Sequence, residues 1–405
     1  MRVDLITLVF NLELLKSQLF IILANLLNEM SRENLKIERQ LAKREADANK
    51  RTLHITQNGL VDFSSNDYLG LARSQVLKNE ILKSYAEVNS PNGSTGSRLL
   101  TGNSALAQEV EAELASFFHF PAGLIFNSGY SANLGFFSSV PQRGDTILYD
   151  ELSHACIKDG CRLSLAKSFA FKHNNMADLD RKLMRAEGNI YIACEAIYSM
   201  DGDKALLSEI CDLAERFHAK VIVDEAHSTG IYGKQGDGLV AELNLSNKVY
   251  ACIFTFGKAM GIHGAFVASS KSVVEYMVNF SRPFIYTTAP SAFEFISIQQ
   301  SLRFLSQHTE QLISLKKNIG YFSSCLTIKQ PERYQSTSPI KVVIVNGNEK
   351  AKIVSDQIKA KGFDVRAILS PTVREGEERL RVCIHSFNTQ NEIRGLAEAL
   401  NSILS

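Results

Sequence analysis

The chain predicts an α/β fold, with a mostly parallel sheet covered on both faces by helices and a small α+β domain at the C-terminal end. Three observations carry this expectation. First, short Val/Ile-rich runs alternate with helix-period segments through the middle of the chain: LIFNS, DTILYD, NIYIACEA, KVIVDEAH, VYACIFTF and GAFVAS. Such near-continuous apolar runs mark strands buried on both faces. Second, the tail reads strand, helix, strand, strand, helix, the order of a separate small α+β unit. Third, 405 residues that are 45% hydrophobic and 21% charged suffice for one large domain and a smaller one.

Residues 1–75 read as an N-terminal arm and helix. Leu5 to Leu27 is apolar-rich, but Asn11, Glu13, Lys16, Gln18, Asn25 and Asn28 interrupt it and its surroundings, so no run of about 20 apolar residues exists to span a membrane. A small-residue cleavage site after a clean apolar core is also lacking. The stretch reads either as an amphipathic arm or as sequence upstream of the true start, with Met30 the initiator. The second is preferred, because Ser31 to Lys50 is a self-contained, highly charged helical stretch. A short strand over Gly59 to Phe63 and a turn, SSNDYLGL, follow. Residues 76–290 form the expected large domain. Residues 291–337 form a connecting region, with one long helix from Ala292 to about Asn318. Residues 338–405 form the small domain: strand IKVVIV, helix Glu349 to Lys361, strands DVRAI and RLRVCIH, and helix Thr389 to Leu404.

The formal net charge of +1 comes from 44 basic and 43 acidic residues, with no basic block along the chain. That gives no electrostatic footing for nucleic acid or a membrane surface. Seven cysteines, at 156, 161, 194, 211, 252, 325 and 383, form no CxxC pair and no Cys/His cluster of zinc spacing. They read as reduced core thiols in a cytoplasmic protein, with no metal site.

Three consecutive strand segments end in polar residues: one near Ser199, one at Asp224 and His227, one at Thr255 and Lys258. In a parallel sheet these ends share one edge, where α/β folds place their ligands. An Asp at the end of a buried strand needs a cationic partner, and a protonated pyridine nitrogen is one. A lysine in an apolar setting, between Gly257 and Gly261, has a lowered pKa and can form an imine. His227 and Ser199 can reach a phenolic oxygen on the same ring. Ser128-Gly129-Tyr130, just before a helix, offers backbone N–H groups to a phosphate, and Thr255 can add a hydroxyl. His154 is an aromatic positioned to stack on the ring. Taken singly, SGY is a tight turn, DEAH a strand-end cap, and His154 a core histidine. The helicase use of DEAH would need a GxxxxGK[ST] loop, which is absent from the sequence. Together and in this order the residues describe a pyridoxal 5′-phosphate (PLP) site.

Those residues lie in segments that resemble the α-oxoamine synthases, PLP fold-type I enzymes that condense an amino acid with an acyl thioester and lose CO2. The resemblance runs from about Arg44 to the C-terminus through DFSSNDYLGLA, GSTGSRLLTGNSALAQEVEAELASFF, FNSGYSANLG, YDELSHACIKDG, IYSMDGDKALL, VDEAHSTGIYG, TFGKAMGIHGAFV, SRPFIYTTAPSA and PTVREGEERLRV. It implies a seven-stranded, mostly parallel sheet and a homodimer with shared active sites. RLLTGN, TFGK and RPFIYTTA resemble most the members that join L-alanine to a pimeloyl thioester in biotin biosynthesis, with CoA or an acyl-carrier protein as thiol. IKDGCRL resembles instead the members that use glycine and acetyl-CoA. Members joining serine to a long acyl-CoA are a further alternative. Non-catalytic partner subunits of the family lack the Schiff-base lysine, which this chain keeps. An aminotransferase of the same fold would accumulate pyridoxamine phosphate from alanine alone.

The resemblance implies that Lys258 holds the cofactor as a Schiff base and later moves the Cα proton. It implies that Asp224 pairs with the pyridinium, that His154 stacks on the ring, and that Ser199 and His227 contact the phenolic oxygen. Gly129, Tyr130 and Thr255 hold the phosphate, with Thr287 or Thr288 contributed by a second subunit. Arg381 binds the amino-acid carboxylate, Thr372 contacts substrate, and Lys50 or Arg51 meets the acyl substrate. Two departures stand out. The family's usual DDAHG is DEAHS here, with Glu225 and Ser228, and Arg374 stands where Pro is common.

Overall fold

The computed structural model describes residues 5–53, 55, 59–331 and 334–404. A short β1 (Val61–Asp62) precedes the main sheet strands β2 (Ala122–Phe126), β3 (Thr146–Asp150), β4 (Lys167–Phe171), β5 (Ile190–Glu195), β6 (Lys220–Asp224), β7 (Ala251–Thr255) and β8 (Ala265–Ser269). These seven lie in the order β2-β8-β7-β6-β5-β3-β4, all parallel except β8, which runs antiparallel to both neighbours. The expected seven-stranded, mostly parallel sheet is therefore present.

Strand periodicity sorts its side chains onto two faces. Val221, Val223, Cys252 and Phe254 join one core, while Ile222, Ala251 and Ile253 join the other. Both faces are covered, which explains why β5, β7 and β8 are buried at every residue. Each such Val or Ile contributes roughly 1.5–3 kcal/mol through burial. The edge strand β4 has no counterpart among the predicted strands. Its KSFAF alternates exposed residues with partly or fully buried ones rather than forming an apolar run.

Strands β9 (Ile340–Ile344), β10 (Phe363–Asp364), β11 (Arg366–Ile368) and β12 (Arg379–Cys383) form two smaller sheets. DVRAI is not one strand. Phe363 and Asp364 pair in parallel with β1, whereas Arg366 to Ile368 pair antiparallel with β12, so the chain turns at Val365 to serve two sheets. The first strand is also shorter than Gly59 to Phe63, and residues 56–58 before it lie outside the described residues.

Two helices depart from expectation. No helix begins at Ser31: Leu5–Ala46 is one continuous helix, and it contains neither glycine nor proline to stop it. The connecting helix is two helices, Ala292–Gln307 and Glu310–Cys325. A capping box of Ser291 and Glu294 starts the first. At its end His308 leaves the helical region (φ −122°, ψ 87°), its ring stacks on Phe304 at 3.9 Å, and Nδ1 bonds the Phe304 carbonyl. The break redirects the second helix onto the C-terminal helix Gln390–Leu404. There Asn318 donates to the carbonyls of His385 and Asn388, at 2.9 and 2.8 Å.

Candidate active site

Strands β5, β6 and β7 are parallel neighbours, so their C-terminal ends open on one edge of the sheet. A cavity of about 380 Å³ lies there, lined by Gly129, Tyr130, His154, Ser199, Asp224, His227, Thr255, Lys258 and Arg381 among others. The structure thus collects nine of the predicted site residues from six separate segments. Asp224 is the last residue of β6 and Thr255 the last of β7. Ser199 and Lys258 stand in the turns beyond β5 and β7 rather than on the strands themselves.

Asp224 is buried and its two oxygens are held apart. Oδ1 accepts the Ala226 N–H at 2.9 Å, and Oδ2 accepts Asn133 Nδ2 at 2.7 Å. Asn133 also donates to the Gly129 carbonyl at 3.1 Å, which ties the helix Gly129–Ser139 to the strand end. Lys258 keeps part of its surface open to the cavity, yet protein surrounds it on nearly every side. Burial therefore holds its pKa below the usual lysine range, against the opposing pull of Asp224 and Glu195. Its Nζ donates to Thr255 Oγ1 at 3.2 Å. His227 is buried and pushed well below the ordinary histidine pKa, so the ring is neutral near pH 7. Its Nδ1 is engaged by the Tyr68 hydroxyl at 2.8 Å, which leaves Nε2 for the cavity.

Arg381 lies on β12 and reaches across from the small sheet. Nε donates to the Ser199 carbonyl at 2.7 Å and Nη2 to Asn66 Oδ1 at 3.0 Å. It is buried, and no carboxylate among the described residues faces it, so the site holds an uncompensated guanidinium suited to a carboxylate ligand. Glu195, at the end of β5, is a second acidic group beside Asp224. Burial pushes its carboxyl up to about 8, with Asp224 adding repulsion, while the backbone N–H groups of His154 and Ser199 bond to it. The His154 bond is 2.5 Å.

The phosphate end is equally specific. Gly129 opens its helix after Ser128, whose hydroxyl caps the Ser131 N–H. A Cβ at Gly129 would lie 2.4 Å from Thr255 Cγ2, so only glycine allows this approach. The N–H groups of Gly129 and Tyr130 have no partner within their own helix. A protonated pyridine ring, a phosphate and a carbonyl carbon all find complementary groups here: Asp224, the helix start with Thr255, and Lys258. The residues present therefore fit PLP.

A second cavity, of about 750 Å³, adjoins the first and shares His154, Ser199 and Met200 with it. Arg51 and Thr372 lie on its wall, with Arg51 Nη2 donating to Thr372 Oγ1 at 3.3 Å. Lys50 turns instead to Glu45 at 2.6 Å, so of these two residues Arg51 is the one that meets this cavity. Arg374 also lines it and pairs with Glu151 at 2.9 Å. Thr287 and Thr288 do not line the first cavity. They bond Asn127 Nδ2 through the Thr287 hydroxyl and the Thr288 carbonyl, at 3.2 and 3.1 Å. The DEAHS departures prove to be one feature: Ser228 Oγ donates to Glu225, whose carboxylate also receives the Leu239 and Val240 N–H groups.

Sequence reasoning did not single out Asn66, Tyr68, Asn133 or Glu195. Asn133 stands one helical turn after Gly129, and that spacing could have marked it. Asn66 and Tyr68 lie within SSNDYLGL, which reads as a turn, and nothing local shows that it meets β12.

A family described as aminotransferase class I and II matches residues 58–400 of this chain. An 8-amino-7-oxononanoate synthase of Emericella nidulans is 39% identical over 387 residues, which cover 89% of this chain and 93% of that protein. The crystal structure of 8-amino-7-oxononanoate synthase from Francisella tularensis is similar with a TM-score of 0.73 and 29% identity, covering 86% of this chain and 98% of that one. A serine palmitoyltransferase from S. paucimobilis with a bound PLP–myriocin aldimine is similar with a TM-score of 0.79 and 28% identity, over 85% of this chain and 87% of that one.

Proposed function

We propose a function from one premise: the chain belongs to the aminotransferase class I and II family, within its α-oxoamine synthases, and has their PLP fold type I. The function is decarboxylative condensation of L-alanine with a pimeloyl thioester, yielding 8-amino-7-oxononanoate, CO2 and a free thiol, in biotin biosynthesis. The observation that carries it is the single cavity in which Lys258, Asp224, His154, His227 and the unpaired Arg381 meet.

PLP, when bound, supplies an electron sink for the charge left on the amino acid's Cα. Asp224 would hold its ring nitrogen, His227 and Ser199 its phenolic oxygen, and His154 one ring face. Gly129, Tyr130 and Thr255 would hold its phosphate. Arg381 binds the L-alanine carboxylate with its guanidinium, which sets the amino acid's orientation. Lys258 Nζ, made less basic by burial, accepts the Cα proton and later returns one. Between these transfers the Cα–acyl carbon bond forms as the C–S bond breaks. The bond from Cα to the original carboxylate then breaks, releasing CO2. Arg51 and Thr372 meet the thioester in the outer cavity.

The enzyme works as a cytoplasmic homodimer, with Thr287 and Thr288 reaching the partner's phosphate. The seven free cysteines support a reducing compartment. Among the described residues no helix is long and apolar enough to cross a membrane. The substrates are the small molecule L-alanine and a pimeloyl thioester carried by CoA or by an acyl-carrier protein.

The test is a matrix of amino acids and acyl thioesters given to the purified enzyme, with products identified by mass. L-alanine with pimeloyl-CoA should release one CO2 and one thiol per 8-amino-7-oxononanoate formed. Faster condensation of glycine with acetyl-CoA, or of serine with palmitoyl-CoA, would overturn the substrate assignment.

A further inference from the structure

Among the described residues four cationic side chains line the outer cavity, and they are not equivalent. Arg374 is paired with Glu151, and Arg379 is bonded to Asp201 with Glu377 at 3.6 Å. Arg51 is exposed at the rim, where water screens it. Lys158 is half-buried, and its Nζ donates only to the Glu151 carbonyl, at 2.7 Å. No carboxylate among the described residues lies within ion-pairing distance of it. The acidic groups behind it are engaged elsewhere: Glu195 by the His154 N–H, Asp150 by His173, and Glu151 by Arg374. Burial lowers the Lys158 pKa against the opposing pull of Glu195, Asp150 and Glu151, none of which lies within ion-pairing distance.

Its position along the chain adds direction. His154 caps the helix Ala155–Leu163, and Lys158 stands four residues on, about 6 Å along the same face. His154 lines both cavities, whereas Lys158 lines only the outer one. A chain entering beside His154 and running outward over a few methylenes therefore ends at an ammonium with unfilled donors.

We infer that Lys158 is a specificity-determining residue that receives the free terminal carboxylate of a dicarboxylic acyl thioester. The inference rests on the proposed condensation and deepens it: the preferred acyl group is a free acid, not its ester and not a neutral acyl chain. It is independent of whether CoA or a carrier protein bears the thioester.

The experiment measures kcat and KM of the holoenzyme with L-alanine and either pimeloyl-CoA or its ω-methyl ester. The wild type should favour the free acid. In Lys158→Met the ratio of kcat/KM for free acid over ester should fall about tenfold or more, chiefly through KM, as expected for one charge-assisted hydrogen bond. Lys158→Arg keeps the charge and should keep the preference. An unchanged ratio in Lys158→Met overturns the inference, and so does an equal loss with both thioesters, which would mean a structural role or a contact with the thiol carrier. Turnover with an unchanged ratio overturns this inference alone. Absence of turnover by the wild type with either thioester overturns the parent reading as well.

Discussion

The cofactor pocket and the outer cavity share a wall, yet their walls are held by different physics. In the pocket, polar side chains are buried and gripped by other protein groups. Asn133 and the Ala226 N–H hold Asp224, Tyr68 holds His227, and Ser199 with Asn66 holds Arg381. In the outer cavity one ion pair, Arg379 with Asp201, is likewise buried, but Arg374 with Glu151 is open to water. Buried, hydrogen-bonded groups keep one geometry because losing a partner leaves an unsatisfied dry atom. Exposed pairs are weak and replaceable. Chemistry that needs fixed positions suits the first region, and the proposed function assigns recognition of the acyl chain to the second.

Substitutions that break this contrast should rank accordingly. Lys258→Ala removes the group assigned to proton transfer and should lower turnover on the order of 10⁴-fold, measured as product formed in single-turnover mixtures. Arg381→Lys keeps the charge but loses the forked contacts to Asn66 and Ser199. Its KM for L-alanine should rise roughly a hundredfold while KM for the thioester changes far less. The opposite pattern would assign Arg381 to the acyl group. Asn133→Ala frees one oxygen of Asp224, and cofactor retention after dialysis should weaken about tenfold.

The outer cavity and the groups packed behind its Tyr198 offer the smaller effects. His173 lies between Asp150 and Asp203, at 3.0 and 2.7 Å, and against Tyr198. Although burial opposes the charge, hydrogen bonds to the two carboxylates raise its pKa to about 10. A histidine raised in the folded state stabilises fully below its unfolded pKa of about 6.5 and loses that contribution as pH climbs through its folded value. The Tm should therefore fall between about pH 6.5 and pH 10, and His173→Gln should flatten that slope in thermal melts. Arg374→Ala should change Tm and KM least, since an exposed pair contributes about 0–1 kcal/mol. An effect of Arg374→Ala as large as that of Asn133→Ala would erase the distinction between the two regions.

The amino-acid sequence by itself determined the α/β class, six of the seven sheet strands and the residues at the strand ends. Those features are local. An apolar run of strand length declares burial on both faces, and parallel strands must align their ends, so Ser199, Asp224 and Lys258 could be brought together without coordinates. The edge strand β4 escaped because a half-exposed strand carries no such run. Tertiary structure alone decided the rest. The division of DVRAI into β10 and β11 depends on two partner strands from distant parts of the chain. The break at His308 depends on where the second helix docks. The grip of Asn133 on Asp224, of Tyr68 on His227 and of Asn66 on Arg381 joins residues 91, 159 and 315 positions apart. Local propensity shapes an element, but only the folded chain decides which buried polar atoms find each other, and that matching holds the site in place.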